Sequence, residues 1–321
     1  MHIISLSIII IGVAIAGLIL SVGSLSSFTY AQNILKVIGS PGSGNGQLND
    51  PRGVYVDNKG NLYVVDSGNN RILEFDSNGK VIRTWGSFGI GDGQFNHPLG
   101  ITVDYKLGYV YVTDAGNHRV EKFSSNGTFI TSWGSTGTGI GQFNTPIGID
   151  EDEAKQNVYV ADVGNNRVER FASNGLFVSE WGTYGSGDGQ FYNPGRVAVD
   201  PSGNVFVADF GNNRVEKFDG NGNFIMAWGS YGQGDGQFYN PTGMAVQFPQ
   251  GNVYVFGNGN HRIQEFTNDG KFINKWDLPI GISAPSIRGN DIAVDSAGTI
   301  FLTDPNSNTI SVISATPVTQ K

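Results

Sequence analysis

Apolar and polar positions alternate along this chain in short runs, and the alternation returns at a fixed interval. The stretch "VYVADVGNNRVERF", Val158 to Phe171, places two alternating apolar runs on either side of a polar turn. A period of two bounded by Gly, Asn and Asp reads as two strands joined tightly. Near-copies begin at Leu62, Val110 and Val205, a weaker one at Val253 and a degraded one at Ile300. The interval is 47 or 48 residues. All five Trp keep one place in it, at Trp85, Trp133, Trp181, Trp228 and Trp276, and one interval before Trp85 stands Ile38.

Each interval holds four strand-like runs. In the second unit they are "GITVD" from Gly100, "YVYVTD" from Tyr109, "RVEKF" from Arg119 and "FITSW" from Phe129. Four short antiparallel strands repeated six times predict an all-β fold, a six-bladed β-propeller. The last unit supplies only "DIAVD" from Asp291, "TIFLTD" from Thr299 and "TISVIS" from Thr309. The run "ILKVIG" at residues 34–39 has fourth-strand phase. It is expected to complete the last blade, closing the ring and removing a large sheet edge. The 47 Gly and 12% aromatic residues suit many short strands and tight turns.

The units resemble NHL repeats, whose pattern runs P-x-G, V-D, Y-V-A-D, N-x-R-I/V, then F and G. The resemblance is carried by "NTPIGIDED…NVYVADVGNNRVERF" and "YNPGRVAVDPSGNVFVADFGNNRVEKF" and spans roughly residues 34–315. It implies a six-bladed propeller. It implies no single function, because such propellers include binding modules, RNA-binding domains and a few lyases.

Residues 1–31 read as a separate segment. From Ile3 to Val22 the chain is almost wholly apolar. This is the pattern of a secretion signal ending near Ala31, or of a retained membrane anchor. Either places residues 32–321, read as one propeller domain, outside the cytoplasm, secreted or held on the outer side of the membrane. Membrane contact is expected only through an uncleaved N-terminal segment. The net charge of −8 speaks against nucleic acid as a partner. With no Cys there is neither a disulfide nor a thiolate. "NGT" at Asn126 is an acceptor pattern for glycosylation in an exported chain.

The opening motif repeats an acid and a base: Asp66 with Arg71, Asp114 with Arg119, Asp162 with Arg167, and Asp209 with Arg214. These pairs are expected to be structural. Chemistry needs one constellation, whereas these recur around a ring. Asp57, Asp104, Asp152, Asp200 and Asp295 end first strands, which line the axis, with Gln247 in the fifth unit. They are the candidate ligands for calcium or another divalent cation, unless each merely starts its own turn. No other cofactor is expected. His118 and His261 occupy the same repeat position in opposite blades. That placement argues against a three-His metal site and against His-based acid–base schemes.

Departures from the repeat point to a ligand site. Arg196 and Asp291 stand where other units have Gly53, Gly100, Gly148 and Gly243. Both are expected where the axial channel opens on the face of the long loops, such as Gly86 to Gly100. Glu151 stands where other units have Val56, Val103, Val199, Val246 and Val294, beside Asp150. A buried Glu there needs a partner or a local shift of the strand. These four are the expected ligand-binding residues. The long-loop face is expected to take a protein, a glycan or a small ligand. The reading is a monomeric, non-catalytic binding or scaffold module. The alternative is a lyase- or hydrolase-like enzyme with a metal in the axial channel.

Overall fold

Tight polar turns force each alternating run back beside its predecessor, and the result is six four-stranded antiparallel sheets. They are seen in a computed structural model that describes residues 33–279, 281–282 and 286–316. Blade 1 runs through Pro51–Val56, Leu62–Asp66, Arg71–Phe75 and Val81–Trp85, in that spatial order. Blades 2 to 5 repeat this order, starting at Pro98, Pro146, Pro194 and Pro241. Blade 6 uses Ile292–Val294, Ile300–Asp304 and Thr309–Ile313, and its fourth strand is Ile34–Ile38. The expected closure by the N-terminal run therefore holds, with Ile38 opposite Ile310.

Apolar residues from facing blades make the core. Between blades 1 and 2, Val65 and Ile72 pack against Ile101, Val103 and Val112, with Phe95 among them. Phe95 belongs to the long loop joining the two blades and is wholly buried, as are Phe143, Phe191 and Phe238 in the next three loops. Each long loop is thus pinned between the blades it connects. The fourth-strand Trp reaches the following blade: Trp85 lies against the turn at Gly127 and Trp133 against that at Gly175. At the seam Ile38 fills the same role against Gly79. This contact explains why Ile38 falls at the Trp position of the interval.

The opening motif is a clamp. Asp66 is fully buried. It accepts from the amide of Asn49 at 2.6 Å, from Asn69 at 2.7 Å and from Arg71 Nε at 2.7 Å. The guanidinium of Arg71 then donates to the loop carbonyls of Ser43, Gly44 and Gln47. Three further blades repeat the arrangement. Arg119 Nε meets Asp114 at 2.9 Å, Arg167 Nε meets Asp162 at 3.0 Å, and Arg214 Nε meets Asp209 at 3.1 Å. Arg167 also donates to the carbonyls of Thr138, Gly139 and Gln142, and Arg214 to those of Ser186, Gly187 and Gln190. In each blade one ion pair thus fixes a turn, the approach to a first strand and a long loop. Arg167 and Arg214 spend their donors on these bonds within the blade edge, well away from the axis.

In blades 1 to 4 and 6 the left-handed residue after the turn links blades: Asn70 Oδ1 accepts from the His97 amide at 2.9 Å. Asn308 accepts from the Asp50 amide at 2.6 Å, which ties blade 6 to blade 1.

The seam supplies a test. Ile38 is 5% exposed and Leu35 on the same strand 64%. Ile38→Ala is expected to lower unfolding free energy by about 2–5 kcal/mol. Leu35→Ala should cost less than about 0.5 kcal/mol. Chemical denaturation of both variants checks the contrast, and equal effects would deny that this strand locks the ring.

Candidate functional site

First strands converge on the axis because each blade is narrowest there and its polar turns lie at the two ends. At the long-loop end the approach is closest. A Cβ on Gly100 would lie 2.2 Å from the carbonyl oxygen of Ile147, and one on Gly148 would lie 2.6 Å from the Cα of Arg196. Only glycine permits such contact between neighbouring strands. The two units that depart from glycine place their side chains across the axis instead. Arg196 Nε meets Asp291 at 3.2 Å, and both residues are buried. Beyond this pair, Leu99 and Ile147 pack with Ile287 from the segment that precedes blade 6.

The axial channel is therefore a blind funnel of about 310 Å³. Its floor is the Arg196–Asp291 pair, and its mouth is formed by the turns of the opposite face, with Asn58, Tyr105, Glu153, Phe248 and Ser296. This corrects the expectation that Arg196 and Asp291 sit at an opening on the long-loop face. The physical reason is twofold: the glycine ring narrows that end, and the crossed ion pair with its apolar cap fills what remains.

Above the floor the first strands line the cavity, and one set of equivalent positions in that lining is Tyr55, Thr102, Asp150, Ala198, Ala245 and Ala293. Half of this layer is polar and half is alanine. Asp150 accepts from Thr102 Oγ1 at 2.8 Å and from the Val199 amide at 2.8 Å. Burial nevertheless pushes its pKa up to about 6, against these hydrogen bonds. Burial likewise pushes Asp291 up to about 6, although the Arg196 charge pulls the other way. Burial and then the charge of Asp150 raise the Tyr55 phenol well above its ordinary value.

Glu151 shows no strand shift. It faces Val158 in an unbroken register with Asp150 opposite Tyr159 and Asp152 opposite Asn157. Its carboxyl is half-buried at the funnel wall, where burial, then Asp150 and Asp104, push its pKa up to about 9. The site accommodates this residue by keeping it protonated at neutral pH. Its carboxyl comes near Asp104 and Glu153, with one oxygen of each within 4.8 Å of the others. Glu153 also pairs with Lys106 at 2.8 Å.

The other first-strand carboxylates serve their own turns. Asp57 accepts from the amides of Lys59 and Asn61, Asp200 from Ser202 and Asn204, and Asp295 from Ala297 and Thr299. Asp104 and Asp152 do the same with Lys106 and Leu107 and with Ala154 and Lys155. Apart from Asp104, which also comes near Glu151 and Glu153, their oxygens are drawn into the turns instead of toward a shared centre. His118 Nδ1 accepts from the Thr145 amide at 3.1 Å, an inter-blade link.

The structure thus brings Arg196, Asp291, Asp150 and Glu151 around one cavity. The clamp residues Asp66, Arg71, Asp114, Arg119, Asp162, Arg167, Asp209 and Arg214 line no part of it. Sequence reasoning missed Tyr55, Thr102, Tyr105 and Phe248. Tyr55 and Thr102 occupy a repeat position that follows no single residue type, so no departure marks them. Tyr105 and Phe248 lie in turns that carry no repeat signal.

A closed ring of six antiparallel blades around a central funnel defines the class, a six-bladed β-propeller. Three of its repeats are NHL repeats: the family model of that description matches residues 48–75, 95–123 and 191–218, in blades 1, 2 and 4. No curated protein matches the chain. Among solved structures the fold is similar to virginiamycin B lyase from Staphylococcus aureus, at 15% identity and a TM-score of 0.60, over 88% of this chain and 86% of that one. A streptogramin B lyase is similar at 17% identity and a TM-score of 0.63, over 91% and 87%. A chain of a nidogen/laminin complex is similar at 16% and 0.57, over 76% and 92%. At these identities the likeness is one of fold.

The raised carboxyls give a pH signature. Folded values near 6 for Asp150 and Asp291 and near 9 for Glu151 exceed the ordinary carboxyl range, so the folded state binds these protons more tightly. Stability from these groups is lost as pH climbs from about 4 through the folded values. Glu151→Gln needs no proton and should raise stability at pH 7.5 by about 1 kcal/mol or more, with little effect at pH 4.5. Melting curves across pH check this, and a variant with an unchanged pH slope would contradict it.

Proposed function

We propose that this chain is an exported, non-catalytic binding module that holds a small ligand in the axial funnel, with entry from the short-turn face. The observation that carries the reading is the funnel itself. It combines a closed polar floor, one apolar wall and an open mouth. Its volume of about 310 Å³ falls at the low end for small-molecule sites. Exposed Tyr105 and Phe248 at the rim offer apolar surface to an entering ligand. Export rests on the apolar run at residues 3–22, which lies outside the described residues. Among the described residues no helix is long and apolar enough to cross a membrane.

The enzyme reading has one observation in its favour, the convergence of Asp104, Glu151 and Glu153 at the funnel wall. These residues would be the ones to hold a divalent cation. Against that role, Asp104 is engaged by backbone amides and Glu153 by Lys106. Binding without chemistry is therefore favoured. The two lyases of similar fold support only the use of such a ring by enzymes.

Two measurements separate the readings. Fragments that bind the full chain in ligand-observed NMR should lose their signals in Ala245→Phe, which fills the funnel, while its circular dichroism stays that of the parent. Binding that survives this substitution would place the ligand elsewhere. Metal analysis of purified protein should give well under one divalent ion per chain, and a stoichiometric ion would revive the enzyme reading.

A further inference from the structure

The funnel floor is short of hydrogen-bond acceptors. Arg196 is 5% exposed and its Nε faces Asp291. Among the described residues its two terminal nitrogens have no hydrogen-bond partner, although they belong to a side chain that lines the cavity. Unpaired donors on a buried charge are expensive. The acids beside it are in the opposite position. Asp291 is ion-paired with Arg196 and accepts from the backbone amides of Val54, Met244 and Ile292. Asp150 accepts from Thr102, Val199 and the Glu151 amide. Protein donors already serve both carboxyls, so the group still waiting for a partner is the guanidinium. The contrast with Arg167 and Arg214 is direct, since their terminal nitrogens are taken up by loop carbonyls.

Charge decides what that partner is. Asp291 cancels Arg196, which leaves Asp150 as the uncompensated charge deep in the cavity. Glu153 stands at the mouth. An anion would reach Arg196 only by passing Asp57 and Asp295 on the cavity lining and settling near Asp150 and Asp291. A neutral oxygen meets no such opposition, and it can accept from both terminal nitrogens at once. The alanine side of the layer, Ala198, Ala245 and Ala293, gives the ligand body an apolar wall.

Resting on the funnel as the ligand site, we infer that the cavity selects an uncharged amphipathic molecule whose amide carbonyl or hydroxyl oxygen accepts from Arg196. Anions of the same shape are rejected.

Three probes of one shape and different charge test it: benzamide, benzoate and benzylamine, titrated against the full chain by ligand-observed NMR at pH 7.5. Benzamide is expected to bind at least tenfold more tightly than benzoate. Its affinity should fall at least tenfold in the double variant Arg196→Met, Asp291→Leu, which removes both charges and strands neither. Arg196→Lys keeps the charge opposite Asp291 and loses the fork of donors, so it should weaken benzamide similarly. This second variant decides the matter should the double variant not fold. Equal binding of benzoate and benzamide, or benzamide binding indifferent to both variants, overturns the inference. Probes that bind, depend on Ala245 and ignore Arg196 would leave the funnel as the site and remove only its selectivity. Failure of all three probes would overturn both.

Discussion

A buried carboxylate held by its own turn is the interaction on which this molecule depends. Asp66, Asp114, Asp162 and Asp209 are fully buried, and burial pushes each of them up from the ordinary carboxyl range. An isolated charge there would oppose folding. Each is instead surrounded by a backbone amide, an Asn side chain and an Arg. In blade 3 these are Asn144, Asn165 and Arg167, and Arg167 extends the network to three loop carbonyls. In blade 4 they are Tyr192, Asn212 and Arg214. The clamp places the long loop and the start of the first strand together. First strands placed this way meet at the axis in one ring, and that ring defines the funnel.

Blade 5 shows what the acid contributes. Gly257 replaces it, and Arg262 keeps its bonds to Gln233 and Gln237 in the loop. Its Nε is left buried without a partner, and burial lowers its pKa. The blade still closes, because Phe238 remains wholly buried between its neighbours. Apolar packing and the clamp are thus two separate restraints on the same loop, and one of them can be lost.

Symmetry builds the ring and its breaking builds the site. Side chains of the cavity layer take no part in the β-ladder, so their identity can change without harm to it. The layer accordingly differs from blade to blade, polar at Tyr55, Thr102 and Asp150 and apolar at Ala198, Ala245 and Ala293. The floor position tolerates less, because strands touch there. Two large side chains fit only by reaching across the axis to one another.

The sequence by itself determined the number of blades, the four strands of each and the use of residues 34–38 as the closing strand. The reason is that alternation and turn residues act locally, and their repetition leaves a single way to use every run. It also marked Arg196, Asp291 and Glu151, because a fixed interval makes a misplaced charge visible. It did not mark Tyr55 or Thr102, whose position never settles on one residue type. Which end of the channel is open was decided only by the tertiary structure. That depends on how closely glycine-bearing strands of different blades approach, on two charges from blades 4 and 6 meeting across the axis, and on Ile287 folding over them. Contacts of this kind join residues far apart in the chain and leave no periodic trace along it.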